Sequence, residues 1–479
     1  MMSGRPTLPM SSSNLENLSA VDLLDLYRSR RASPVEAVRA VLQRIETLDP
    51  VLNAFCFVAP DEAMAMAAAS EARWMKGEPM GPLDGVPVSI KDILLTKGWP
   101  TLRGSKTVDR AGPWTDDAPS VARLRESGAV FVGKNTTPEF GWKGVTDSPL
   151  TGITRNPWDP SKTPGGSSGG GAAAVAACMV PLTLGTDGGG SIRIPCAFTG
   201  LFGLKPAFGR VPAWPLSPFG TVAHIGPMTR TVTDSALLMN VISRPDRRDW
   251  FALPPEARDF REGLDDGVRG WRVAYSPALG HCHVDPEVAA IVDRAAKRFV
   301  DLGAKVEEVD PPLPNAEEVF RRHWFSGAAY LLRNFTPAQK ALMDRGLVDV
   351  AGQGAQITMM ELLDAVQQRG ALGIAMNRFH EHYDLLLTPS LPLPAFEAGR
   401  EVSDVMKEKR WTEWTPFSYP FNLTQQPAAS VPCGRTASGL PVGLQIVGPR
   451  YDDWRVLRAA RAFEMAQPFP MPDVSTLAA

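Results

Sequence analysis

Histidine is scarce in this chain, six among 479 residues, and the six are poorly placed for metal. "GHCH" at 280–283 and "HEH" at 380–382 offer neither a helical i, i+4 pair nor a third ligand, so both read as surface or packing residues and no metal centre is expected. An excess of one charge is also missing. Lys and Arg total 50 against 52 Asp and Glu, a net charge of -2, which argues against nucleic acid or an anionic membrane as partner and leaves a small neutral molecule. The cysteines Cys56, Cys178, Cys196, Cys282 and Cys433 form no C-x-x-C pair and their number is odd. This suits reduced thiols in a cytoplasmic protein rather than a disulfide framework. Long apolar runs are absent too: "AAAVAACMVPLTLG" is short and broken by Pro181, and the first twenty residues contain no apolar core of a signal peptide. Neither export nor a membrane span is expected.

What is present is ordinary for a globular protein, with 44% hydrophobic and 21% charged residues. Residues 1–17 read as a loose arm, and residues 18–479 as a single domain. Ser19 with Asp22, then Ser33, Pro34 and Glu36, mark two successive helix starts. Val35, Val38, Leu42 and Ile45 place an apolar face on the second helix. "GVPVSIKD" at 85–92 predicts a short strand ending on Lys91. "SVARLRESGAVFVGKN", "EVAAIVDRAAKRFVDLGAKVEEVD" and "HYDLLLTPSLP" bring helix-to-strand alternation and hence an α/β layered sheet. The proline-marked segment from about 244 to 270 is an excursion rather than a boundary.

Two motif matches fail on context. "GAVFVGK" at 128–134 fits a phosphate loop only until Asn135 replaces the required Ser or Thr, and its middle reads as a buried strand. "GGSSGG" at 165–170 fits the nucleophile elbow through Ser167 or Ser168, but Pro157, Pro160 and Pro164 exclude the preceding strand that an elbow needs. His224 is the best-placed histidine for a general base, although a buried histidine is more often a satisfied polar group. A serine nucleophile without histidine needs another base, and a desolvated lysine serves because burial disfavours its charged form. No S-x-x-K is present, so the lysine must come from a distant segment. A helix over 169–179 and a strand over 180–185 would carry the chain out and back, bringing Ser167 near Ser191. The glycines before Ser191 would then let backbone N–H groups converge beside it.

"GVPVSIKD", "TRNPWDPSKTPGGSSGG" and "GTDGGGSIRIP" together resemble the amidase signature family. "GLKPAFGRVP", "GPMTRTVTDSALLM", "YDLLLTPSLP", "FNLTQQPAASVPCG" and "LPVGLQIVG" extend the likeness over most of residues 20–465. The resemblance implies a single-domain α/β fold with a mixed, twisted central sheet flanked by helices. The signature core would span about 80–235, and a C-terminal part at about 270–465 would complete the sheet and pocket. It implies a catalytic lysine at Lys91, a bridging serine in a cis peptide at Ser167 and an acylated serine at Ser191. It also implies an oxyanion hole from the N–H groups of Gly188, Gly189, Gly190 and Ser191, supported by Ser168, Asp187 and Arg193. No cofactor enters such a cycle.

Within that resemblance, "PEFGWKGVTDSP" and "TEWTPFSYPFNLTQQP" look more like bacterial enzymes acting on aryl, acyl or small xenobiotic amides than like the glutaminyl-tRNA amidotransferase subunit. The alternatives are a urethanase, and a non-catalytic or amidotransferase-type subunit. Trp142, Trp214, Trp411, Trp414, Phe417 and Tyr419 are candidates for an apolar pocket, the competing reading being that they fill the core. Gln425, where the family usually carries glycine, is expected to narrow or polarise the mouth. The expected assembly is a monomer or homodimer.

Overall fold

The computed structural model describes residues 14–477. Most of the expected arm, residues 1–13, lies outside the described residues. Its last part does not match the expectation: Leu15–Asn17 forms a 3-10 turn with Leu15 buried, so ordered structure starts before residue 18. The two predicted helix starts are present. Ser19 accepts from the Asp22 N–H ahead of the helix Ala20–Arg28, and Ser33 with Glu36 closes a capping box on the helix Pro34–Leu52. On the second helix Val38 and Ile45 are fully packed while Val35 and Leu42 sit half-buried at the margin.

Thirteen strands follow in chain order: β1 (Phe55–Val58), β2 (Pro87–Lys91), β3 (Val130–Asn135), β4 (Asp147–Ser148), β5 (Gly152–Ile153), β6 (Leu182–Asp187), β7 (Phe202–Lys205), β8 (His224–Thr229), β9 (Arg272–Tyr275), β10 (Lys305–Glu308), β11 (Leu385–Pro389), β12 (Ala428–Arg435) and β13 (Pro441–Val447). Eleven of them form one sheet in the order β1-β3-β2-β6-β8-β7-β12-β13-β11-β9-β10, and β4 with β5 makes a separate hairpin. The sheet is mixed. β3, β2 and β6 run parallel, as do β11, β9 and β10, while the strands between them are antiparallel. Helices cover both faces, so strands such as β2, β3 and β13 are buried along their whole length.

The parallel trio matters for the site. Lys91, Asn135 and Asp187 end their strands at the same edge of the sheet. From Ser168 the chain enters a helix, Gly169–Ala176, three residues shorter at its end than expected because the Cys178 backbone turns left-handed. This helix lies close against the sheet. A side chain at Gly170 would meet the Ala54 carbonyl and the Thr136 backbone at 2.6 Å, so only glycine fits. Among the described residues no helix is long and apolar enough to cross a membrane.

Candidate active site

Lys91 is 1% exposed and emerges from the end of β2 into a cluster of hydroxyls. Its Nζ lies 2.7 Å from Ser167 Oγ, 2.9 Å from Ser168 Oγ and 2.8 Å from Thr186 Oγ1. No acidic side chain pairs with it among the described residues. Burial therefore pushes its pKa well below the ordinary lysine value, against the weaker opposing field of Asp187. The protons around it can be assigned. Ser168 Oγ donates to the Thr186 carbonyl at 3.2 Å, so its hydrogen is committed and it accepts from Lys91. Ser167, whose peptide bond to Gly166 is cis, is left free to donate its proton to a neutral amine. Thr186 is a partner that the sequence reading missed, although it stands inside the glycine motif "GTDGGGSIRIP".

Ser191 closes the loop after β6. Its side chain is 5% exposed, its hydroxyl has no hydrogen-bond partner among the described residues, and its carbonyl accepts from the Ser168 N–H at 3.2 Å. The segments carrying Ser167 and Ser191 thus meet through backbone.

The loop 188–190 needs its glycines for two reasons. A side chain at Gly188 would strike the Trp324 ring at 2.7 Å, and one at Gly189 would strike Phe320 at 2.6 Å and Trp411 at 2.7 Å. Gly190 has φ +125, a conformation that side chains disfavour. Of the N–H groups expected to converge here, that of Gly190 instead donates to Asp187 Oδ1 at 2.8 Å. Gly188, Gly189 and Ser191 keep N–H groups without an acceptor among the described residues. The same carboxylate also accepts from the Ile192 and Arg193 N–H groups, at 3.2 and 3.4 Å.

That carboxylate is fully buried. Asp187 and Arg193 pair through 2.9 and 3.0 Å contacts, and Arg193 also reaches the Ser418 carbonyl, Asn422 Oδ1 and Gln445 Oε1. Burial by itself would raise the Asp187 pKa; Arg193, then Lys205 and Asn422, overcome this and hold it low. Ser418 Oγ donates to the Gly189 carbonyl at 2.6 Å. Ser418, Asn422 and Gln445 lie more than 200 residues from the loop they hold, and no local pattern points to them.

The amidase family profile matches residues 36–457. The chain belongs to the amidase signature family. It is 38% identical to an acylamidase of Rhodococcus erythropolis over 96% of this chain and 98% of that one. It is also 38% identical to a glutamyl-tRNA(Gln) amidotransferase subunit of Myxococcus xanthus, over 95% and 98%. Among solved structures it resembles a bacterial aryl acylamidase with a TM-score of 0.88 at 34% identity, covering 96% of this chain and 97% of that one. This amidase is accordingly a hydrolase of amides with a mixed α/β fold.

The aromatic candidates divide. Trp142, Trp411, Trp414, Phe417 and Tyr419 are 0–2% exposed and belong to the packed interior. Trp411 presses on the glycine loop, and Trp414 stacks on Phe198 at 6.0 Å. Trp214 lies half-buried beneath the Arg248 guanidinium, 4.8 Å away. Phe140 and Phe219, which carry no sequence signal, belong to the same packed cluster as Trp324 and Trp411. Phe140 immediately precedes Gly141, where a side chain would come within 3.3 Å of Ser167 Oγ, and its ring meets Phe335 edge-on at 6.0 Å. Phe219 stacks on Trp324 at 3.8 Å. Gln425 has a left-handed backbone (φ 64). Its side chain donates to the Thr221 carbonyl and accepts from Arg450, on the wall of a groove of about 280 Å³ shared with Arg369 and Ile374.

His224 is 5% exposed and its Nδ1 contacts two carbonyl oxygens. Lys134, in the phosphate-loop lookalike, is a buried strand residue paired with Asp92 at 3.2 Å. His281 and His380 bond to backbone carbonyls.

Proposed function

We propose that this amidase cleaves the C–N bond of linear aryl or acyl amides through an acyl-enzyme on Ser191, with Ser167 relaying protons to and from Lys91. One observation carries the reading: a buried lysine with no acidic partner, 2.7 Å from a serine whose proton is free to move. Neutral Lys91 takes the Ser167 proton as Ser167 takes that of Ser191, and Ser191 Oγ attacks the carbonyl carbon. The oxyanion is received by the N–H groups of Gly188, Gly189 and Ser191. The proton on Lys91 returns through Ser167 to the amine nitrogen as the C–N bond breaks. Water then repeats the relay, freeing the acid and restoring Ser191 and neutral Lys91. The likeness to acylamidases supports an aryl or acyl amide as the substrate.

The test is release of 4-nitroaniline from an acyl 4-nitroanilide by the wild type and Ser191→Ala, with an O-alkyl N-(4-nitrophenyl)carbamate measured alongside. Wild-type turnover that disappears in the variant is the expected result. A variant as active as the wild type would remove Ser191 from the mechanism. A carbamate rate above the anilide rate would reassign the substrate class to urethanes. Ammonia release from glutamine with neither anilide nor carbamate cleaved would move the protein to the amidotransferase branch.

A further inference from the structure

His224 opens β8 directly opposite Asp187, the last residue of β6. Its Nδ1 lies 2.8 Å from the Val222 carbonyl oxygen and 3.2 Å from that of Asp187. Carbonyl oxygens only accept, so Nδ1 carries the hydrogen in both contacts. The Asn422 amide donates to the same two carbonyls, each at 3.0 Å. Two side-chain donors from different elements therefore converge on the Asp187 carbonyl from the buried side.

The Asp187–Gly188 bond is not one of the three cis peptides. In a planar trans peptide the C=O and N–H point in opposite directions. Fixing the Asp187 oxygen toward His224 and Asn422 turns the Gly188 N–H the other way, and that N–H has no acceptor among the described residues. Packing reinforces the arrangement, because Trp324 leaves no room for a side chain at Gly188.

We propose that His224 is a positioning residue of the oxyanion hole: its Nδ1–H, together with Asn422, holds the Asp187–Gly188 peptide so that the Gly188 N–H meets the developing oxyanion. The assignment rests on the acyl-enzyme reading above. His224 moves no proton in this role. Burial, with Lys205 of β7 and Arg193 adding to it, drives its pKa well below the ordinary value; Asp187 and the bond to Val222 oppose this. Its Nε2 is buried without a partner among the described residues, and its ring meets that of Phe208 edge-on at 5.6 Å between centroids.

The experiment uses the full chain with His224→Leu, His224→Asn and His224→Gln. The asparagine amide nitrogen falls where Nδ1 stands; the glutamine amide reaches past it. We measure kcat and KM on the 4-nitroanilide, inhibition by a trifluoromethyl ketone analogue, labelling of Ser191 by a fluorophosphonate, and thermal melting. His224→Leu is expected to lose about 10–100-fold in kcat, less than the 10²–10³-fold for a deleted donor, with KM nearly unchanged. Trifluoromethyl ketone affinity should fall by a similar factor. His224→Asn should stay within about 5-fold of wild type and keep its pH profile, since the group restored is a donor and not a base.

A His224→Leu enzyme within about 3-fold of wild type overturns the proposal, as does a kcat loss with unchanged ketone affinity. If His224→Leu does not fold, the amide pair decides: Asn at least about 10-fold above Gln supports positioning, and equal activities reject it. Failure of the fluorophosphonate to label Ser191 in the wild type is a separate outcome, which withdraws the acyl-enzyme reading and this proposal with it.

Discussion

Lys91 Nζ and Ser167 Oγ lie 2.7 Å apart in a pocket of hydroxyls, with no carboxylate paired to the lysine among the described residues. An ammonium there would be a buried, unpaired charge, which costs several kcal/mol. A neutral amine can accept from Ser167 while donating to Ser168 and Thr186. Lys91→Ala therefore removes the proton acceptor and is expected to lower kcat at least about 10³-fold, with the fold retained. Hydrolysis of the 4-nitroanilide, with a melting curve on the same preparation, is the check. Residual activity above a tenth of wild type would mean that another base serves.

The depressed Lys91 pKa has a signed consequence for rate. Only the neutral amine accepts a proton, so kcat/KM should fall as pH drops through the lysine pKa and stay high above it, at pH values where an exposed lysine would still be charged. A pH–rate profile with a single acid limb well below the ordinary lysine value is expected. An acid limb near the usual lysine pKa would contradict the role assigned to burial.

Removing the guanidinium beside Asp187 should have two separable effects. Arg193→Met leaves a buried carboxylate without its partner and is expected to cost about 3–5 kcal/mol of stability, read by denaturant unfolding. Without Arg193, burial raises the Asp187 pKa, and a neutral Asp187 no longer raises that of Lys91, so any folded fraction should show its acid limb moved to lower pH. An unmoved limb would show that the Asp187 field does not reach the lysine.

Gly190→Ala introduces a side chain at φ +125, 2.5 Å from Ser418 Oγ. The loop must shift to relieve it, and about 1–3 kcal/mol of strain is at stake. Since the Gly190 N–H is held by Asp187 and the Gly189 carbonyl by Ser418, the shift should reach Ser191. We expect kcat to fall at least about 100-fold. Near-normal kcat at unchanged stability would show that the loop tolerates movement.

Much of this was legible locally. Ser19 and Ser33 announce their helices because a cap and its N–H partner are three residues apart, and "GVPVSIKD" gives both the strand and the lysine at its end. Ser167, Ser191 and Lys91 could be grouped once the family resemblance of three motifs was recognised. The aromatic residues could not be divided in the same way: only the tertiary arrangement puts Trp411 behind the glycine loop and brings Gly141, next to Phe140, up against Ser167. Nor does any spacing show that Gly190 spends its N–H on Asp187, because that depends on a turn set by Arg193, Ser418 and Asn422 together.

The neighbouring of β7 and β12 in the sheet, with the anchoring of Arg193 by Ser418, Asn422 and Gln445, bears on how the chain emerges from the ribosome. The lysine and both serines are synthesised by residue 191, yet the clamps on their loop arrive roughly 250 residues later, an interval of about 12–50 s at 5–20 residues per second. A nascent chain thus carries Lys91, Ser167 and Ser191 long before Ser418, Asn422 and Gln445 are made to hold the loop between them.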